Sequence, residues 1–410
     1  MIQTRTRRWF LGVAVLAALV AVCSFSLPGC LWPREHVYLT WQGDTSTTMT
    51  VNYQTGKEDS PSIVYYDTET RAGRVDAYRY QAQGASHQIP GLRDQRRVHT
   101  VELTGLTPGA AYFFVAGQPK RGVGREHRFR TIPNDGSPIR FISGGDMGIM
   151  PRSTRLMKHA AAQSPMFAIV GGDWAYANGD LGNAWMWDAW LAHWERCMVT
   201  PDGAMIPMVG AIGNHEVNDS AGGAREKAPF YLGYLAQSET TYYTRTFGPD
   251  LALFILDSGH IAPYDGAQTD WLAQTMTEHS QFKFKMAVYH VPLYPSHRSY
   301  LDARSAQGRQ FWLPLFDAHG LDIGFENHDH TFKRTKPLRN SAVNPEGTVY
   351  LGDGCFGVPP REIKNAEAPY LEKASSTAHF WIVEVNADAI RCRAMNDHGE
   401  VFDEYVRPAR

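Results

Sequence analysis

Cysteine is scarce in this chain, and the scarcity excludes two kinds of fold. Of five cysteines in 410 residues, Cys23 and Cys30 fall inside an N-terminal segment laid out as an export signal. Cys197, Cys355 and Cys392 are an odd remainder without metal-site spacing, so neither a disulfide scaffold nor a cysteine-ligated zinc is expected. At most one bridge can form, Cys355 with Cys392; buried free thiols are the other reading. An excess of either charge is missing too. The 40 Lys and Arg against 42 Asp and Glu leave a formal net charge of −2, which gives no broad field for a polynucleotide backbone, so nucleic acid is not expected as the main partner. Internal repeats and low-complexity segments are absent.

What is present fits a packed globular enzyme: 11 Trp, 19 Tyr and 19 Phe within a 43% hydrophobic composition. The length implies two or three domains. Residues 1–30 are set aside as an export signal, because Arg5, Arg7 and Arg8 precede an apolar run from Trp9 to about Leu27. Thr6-Arg7-Arg8-Trp9-Phe10-Leu11 resembles a twin-arginine signal, the route of proteins that fold before crossing the membrane. Leu27-Pro28-Gly29-Cys30 resembles a lipoprotein box that would lipidate Cys30 and attach the chain to a membrane, with Pro28 in place of the usual small residue. The apolar run is also long enough for an uncleaved anchor. All three readings put the mature chain outside the cytoplasm, in a periplasm or at the cell surface.

From about Val37 to Thr131 the pattern is short alternating strands between turn residues, the cue for a small β-sandwich. Such a unit serves as a wall beside a site, as a contact surface or as a spacer. Thr131-Ile132-Pro133-Asn134-Asp135-Gly136-Ser137-Pro138 marks the boundary. Beyond it, helices are expected over Thr154 to Gln163, Asn183 to Cys197, Asp270 to His279 and Ser305 to His319, alternating with strands. Trp187, Trp190, Leu191 and Trp194 share one helical face and read as core. After Gly347, the runs Val349-Tyr350-Leu351, His379 to Val385 and Ala389 to Ala394 read as a second, closing sheet.

Five short apolar runs end in residues able to bind metals. Phe167-Ala168-Ile169-Val170 breaks at Gly171-Gly172 and delivers Asp173, with Tyr176 three residues on. Arg140 to Ser143 leads to Asp146, and Met205 to Ile212 leads to Asn214-His215-Glu216. Phe284 to Tyr289 leads to His290, and Leu321 to Phe325 leads to Glu326-Asn327-His328-Asp329-His330. Buried parallel strands closed by glycine collect ligands at their ends, so all five ends are expected on one rim of one sheet.

At these positions the sequence resembles the metallophosphoesterase superfamily, and Tyr176 after Asp173 narrows the likeness to the purple acid phosphatases. The resemblance implies an α/β fold class: a fibronectin-type-III-like β-sandwich over residues 36–132, then a β-sheet/helix sandwich metallophosphoesterase domain over 138–410, with two central mixed sheets flanked by helices. One departure is visible: Asn327 stands where the family's last motif has Gly before its first His.

The resemblance implies one metal within Asp146, Asp173, Tyr176 and His330, and a second within Asp173, Asn214, His290 and His328. Donor chemistry agrees. A phenol with pKa near 10 yields its proton readily only to a strong Lewis acid, so Tyr176 favours Fe(III). The second set suits a divalent ion such as Zn, Fe or Mn. The implied reaction is acid-phosphatase hydrolysis of small phosphate monoesters by in-line attack of a hydroxide bound to the dinuclear centre. His215 is the expected proton donor to the leaving group, with Glu216 orienting it. His297 is either a substrate contact or a solvated loop histidine. Arg298, Lys333 and Arg334 are candidates to draw in phosphate, and Asp257 and Gln268 are candidates to brace the site. Two other readings stand beside this one: a phosphodiesterase or nucleotide hydrolase on the same core, and an inert surface lipoprotein acting as a binding module.

Overall fold

The computed structural model describes residues 36–119, 122–220, 223–235 and 237–409. The export signal, with Cys23 and the lipidation of Cys30, lies outside them. Among the described residues no helix is long and apolar enough to cross a membrane.

The N-terminal part is two four-stranded antiparallel sheets. One orders Val37–Thr40, Met49–Thr55, Arg97–Leu103 and Ala85–Gln88; the other orders Tyr80–Gln83, Ile63–Asp67, Ala111–Ala116 and His127–Arg130. This part is not a spacer. Leu39, Trp41, Val51, Phe114 and Phe129 share one buried apolar cluster with Phe141, Phe167 and Phe247 beyond the boundary. Trp41 sits edge-on to Phe167 and Phe247, ring centres 6.2 and 5.9 Å away. Arg245 donates to the Trp41 carbonyl (2.7 Å), and buried Arg96 pairs with Asp94 and Asp188.

Two larger sheets follow. The six-stranded one orders Met208–Ala211, Phe167–Gly171, Ile139–Gly144, His379–Val385, Ala389–Asn396 and Val401–Pro408, the first three parallel. The seven-stranded one orders Tyr243–Phe247, Leu251–Ile255, Phe284–Val288, Ile323–Phe325, Val349–Gly352, Phe332–Thr335 and Leu371–Ser375. Side chains alternate across a strand, and the burial follows. Phe141, Phe167, Ile169 and Val209 meet Met286, Val288, Phe325 and Val349 in the layer between the sheets. Ile142, Ala168, Val170 and Met208 face outward, against Leu156 and Met157 of helix Pro151–Ala162 and Trp187, Trp190 and Trp194 of helix Ala184–Cys197. On the other outer face, Ala252, Phe254 and Ala287 meet Leu272, Met276, Trp312 and Phe316. Strands covered on both faces read as unbroken apolar runs for this reason.

Three expectations are corrected. The five strand ends belong to two sheets: Asp146, Asp173 and Asn214 follow strands of the six-stranded sheet, His290 and Glu326 those of the seven-stranded one. The closing strands also divide, since Val349–Gly352 pairs beside Ile323–Phe325 while His379–Val385 joins Ile139–Gly144. The single helix from Ser305 to His319 is two, Ala303–Phe311 and Leu313–His319, because Pro314 has no N–H to continue the ladder. Cys197, Cys355 and Cys392 are buried free thiols.

Candidate metal centre

The strands stop short of the donors, and the backbone turns sharply to bring them round. Eleven non-glycine residues are recorded with positive φ among the described ones, and six are here: Asp146 (55°), Asp173 (54°), Tyr176 (64°), Asn178 (56°), His328 (75°) and His330 (57°). Each such turn costs roughly 1–3 kcal/mol and persists only where its surroundings hold it. That concentration singles these turns out as the candidate site.

Two donor groups share Asp173. In Asp173, His290 and His328, and again in Asp146, Asp173 and His330, the candidate ligand atoms lie within 4.8 Å of one another. The first group is a knot of nitrogen and oxygen donors. His290 Nδ1 donates to the Gly171 carbonyl (3.0 Å), which turns Nε2 toward the other donors. That Nε2 lies 3.0 Å from Asn214 Oδ1, 3.0 Å from His328 Nδ1 and 3.3 Å from Asp173 Oδ1. In the second group His330 Nε2 is 2.9 Å from Asp146 Oδ1, and the Tyr176 hydroxyl is 3.2 Å from both atoms. All seven expected ligands therefore converge.

The electrostatics call for positive charge. Asp173 is 1% exposed and its Oδ2 has no hydrogen-bond partner, a state that a buried carboxylate tolerates only beside a cation. Burial opposes ionisation of Asp173, yet His290 and His215 hold its carboxyl well below the usual range. Burial likewise opposes the His290 cation, but Asp173 and Asp146 outweigh it and raise its pKa to about 9. Burial, then Asp146 and Asp173, push the Tyr176 phenol far above its ordinary value, so only a strongly charged cation would ionise it. The donor set fits a pair of metal ions.

Around the donors, Glu216 has a different role from the expected one. Its carboxylate accepts from the backbone N–H of Asp173 (2.7 Å), Trp174 (2.9 Å) and Gly213 (2.9 Å), tying two ligand loops together without touching the His215 ring. Burial, then Asp173, raise its pKa to about 8. His215 is held by Asn178, which sequence reasoning missed: ring Nδ1 meets Asn178 Oδ1, and Asn178 N–H donates to the His215 carbonyl (2.9 Å).

His297 is half-buried, with its N–H on Asp329 (2.7 Å) and Nδ1 on the Glu362 carbonyl (2.8 Å). Arg298 reaches the His328 carbonyl (2.7 Å) and Asp329. Arg361, which sequence reasoning passed over, reaches the same carbonyl (3.3 Å). Lys333 and Arg334 do not face the site. Lys333 is fully buried between Glu326 and Asp353, and Arg334 pairs with Asp403. Asp257 accepts from the N–H groups of His260, Ile261 and Ala262, and Gln268 caps its backbone, so this pair braces a loop. His260 is buried with its ring centre 5.6 Å from that of His290.

A family model described as "Purple acid Phosphatase, N-terminal domain" matches residues 34–131. Purple acid phosphatase 15 of Arabidopsis thaliana is 27% identical over 367 residues, covering 78% of this chain and 66% of the relative. Acid phosphatase type 7 of Mus musculus is 26% identical over 361 residues, covering 79% and 78%. Among solved structures, purple acid phosphatase PPD1 from yellow lupin (Lupinus luteus) seeds matches at TM-score 0.77 and 18% identity, covering 91% of this chain and 74% of that one. PhoD matches at TM-score 0.65 and 12% identity, covering 91% and 88%. At these identities the structures speak to fold alone: an N-terminal sheet domain, then a domain of mixed sheets and helices. Residues 34–131 thus match the N-terminal domain of the purple acid phosphatases, and the chain as a whole is similar in sequence to purple acid phosphatases and acid phosphatase type 7 and in fold to a purple acid phosphatase.

Proposed function

We propose that this chain is an acid phosphatase that hydrolyses small phosphate monoesters at a dinuclear metal centre. The observation that carries the reading is Asp173, a buried carboxylate with one oxygen unpartnered, shared by two groups whose candidate ligand atoms lie within 4.8 Å of one another. Asp146, Asp173, Tyr176 and His330 would hold Fe(III), and Asp173, Asn214, His290 and His328 a divalent ion such as Zn, Fe or Mn. When bound, such a pair supplies Lewis-acid polarisation of a phosphoryl oxygen and acidifies water.

The chain's own groups supply the rest. His215 is half-exposed, tilts its ring 31° against that of Tyr176 with centres 4.1 Å apart, and turns Nε2 toward the centre, 3.9 Å from Asp173 Oδ2. It is the donor of a proton to the departing alkoxide. His297 holds the Glu362 carbonyl through Nδ1, so its Nε2 donates to a phosphate oxygen in the imidazolium form, and Arg298 and Arg361 add positive charge at the His328 edge. The reading extends to export, on the layout of residues 1–30, with Cys30 as the lipid site.

The test pairs metal analysis and visible absorption of the purified chain with turnover of p-nitrophenyl phosphate against bis(p-nitrophenyl) phosphate. Two metals per chain, a visible tyrosinate-to-iron band and preference for the monoester are expected. Preference for the diester overturns the substrate assignment. Absence of metal overturns the enzyme and favours a binding module.

A further inference from the structure

Asn327 occupies the position where the family's motif has Gly, yet its backbone is not in the left-handed region that would require one. It is 3% exposed. Its N–H donates to the His290 carbonyl (3.0 Å) and its Nδ2 to the Tyr289 carbonyl (3.0 Å), at the end of a strand of the seven-stranded sheet. The same amide lies against two glycines of the six-stranded sheet's rim. A methyl group on Gly171 would come within 1.9 Å of Asn327 Nδ2, and its three nearest atoms would all belong to Asn327. A methyl on Gly145 would come within 2.4 Å of Asn327 Oδ1. Gly145 precedes Asp146, and the Gly171 carbonyl receives the His290 Nδ1–H. Beside the amide only about 10 Å³ of cavity is left, lined by Ser143, Gly144, Glu326, Asn327 and Gly354. That volume is at the lower limit for one water; neither Gly145 nor Gly171 lines it, and their approach to the amide rests on the methyl distances above.

We propose that Asn327 is a positioning residue. Its amide sets how far the Asp146 and Asp173 rim stands from the His290 and His328 rim, and Gly145 and Gly171 are cut to receive it. The proposal rests on the metal-centre reading above. It makes position 327 and position 171 a matched pair: a side chain at one demands its absence at the other.

The test compares the parent chain with Asn327→Gly, Gly171→Ala and the double variant Gly171→Ala/Asn327→Gly. For each, the affinity for Zn²⁺ is titrated with the first metal in place, the visible absorption maximum is recorded, and thermal unfolding checks the fold. Asn327→Gly is expected to weaken Zn²⁺ at least tenfold and to move the absorption maximum. Gly171→Ala is expected to weaken it further or to fail to fold, because its methyl has nowhere to go. The double variant is expected to fold and to return within about threefold of the parent affinity, since the methyl takes space the amide has left. Parent-like affinity and spectrum in Asn327→Gly, or a double variant no better than the worse single, would overturn the proposal alone. A parent chain that binds no metal pair would overturn it together with the metal-centre reading.

Discussion

Asn178 grips His215 at both ends, its carbonyl oxygen on ring Nδ1 and its own N–H on the His215 carbonyl. Because Oδ1 accepts, the ring carries its proton on Nδ1 and leaves Nε2 to exchange one. The partner is neutral, so nothing in it holds the imidazolium. Burial lowers the His215 pKa, Asp173 works against that and His290 with it. As proton donor, His215 should therefore set an alkaline limb of kcat below about pH 6.5. Asn178→Asp places a carboxylate on Nδ1, favours the charged ring and should move that limb to higher pH. His215→Ala should keep both metals and lose roughly 10²–10⁴ in kcat. A pH profile with metal analysis checks all three, and loss of metal in His215→Ala would make the residue structural.

Glu216 holds three backbone N–H groups of two ligand loops. Glu216→Ala orphans them at about 1–3 kcal/mol each, so urea unfolding should show at least about 3 kcal/mol lost, with metal affinity falling in parallel. Glu216→Gln keeps an acceptor and should lose less of both.

Lys333 is the cation of a sealed cluster in which Glu326 also accepts from the Tyr289 hydroxyl (2.8 Å) and the Leu293 N–H (2.7 Å). Removing one member of a buried pair costs about 3–5 kcal/mol. Lys333→Met should lower Tm sharply, and adding Glu326→Gln should recover part of the loss. A role in drawing substrate would instead appear as a raised KM with Tm unchanged.

His379 is buried against Phe332, Trp381 and Phe402, and burial lowers its pKa to about 4. Unfolded, it titrates near 6.5. The unfolded chain therefore binds a proton that the folded one refuses. Stability from this group is complete above pH 6.5 and is lost as pH falls toward 4, by roughly 3 kcal/mol. Burial lowers His99 and His127 to about 4 as well, adding losses of the same sign. Urea unfolding at pH 7, 5.5 and 4 should show the fall, with a shallower slope in His379→Phe.

The candidate donors were legible because each follows one of five strand ends within a few residues, Asp173 and Tyr176 sharing one end and His328 and His330 another: an apolar run, a glycine and a polar residue are local features, read one at a time. Which strands lie side by side is not local. Ile139–Gly144 pairs with His379–Val385 across more than half the chain, and the apolar content of the two runs carries no label for that choice. Lys333 misled for another reason. A lysine reads as exposed by residue type, and only the fold reveals Glu326 and Asp353 closing over it. Asn178 left a faint trace, a turn-favouring residue two places past Tyr176. Asn327 was visible as a departure, but its meaning depended on Gly145 and Gly171, far off in sequence.

Trp41 belongs by chain order to the first part and by packing to the second, wedged against Phe167 and Phe247. A calorimetric trace should accordingly show one peak rather than two. A protease that cuts near Pro133 should release nothing, and catalytic halves expressed from residue 138 onward should precipitate with those two phenylalanines bare.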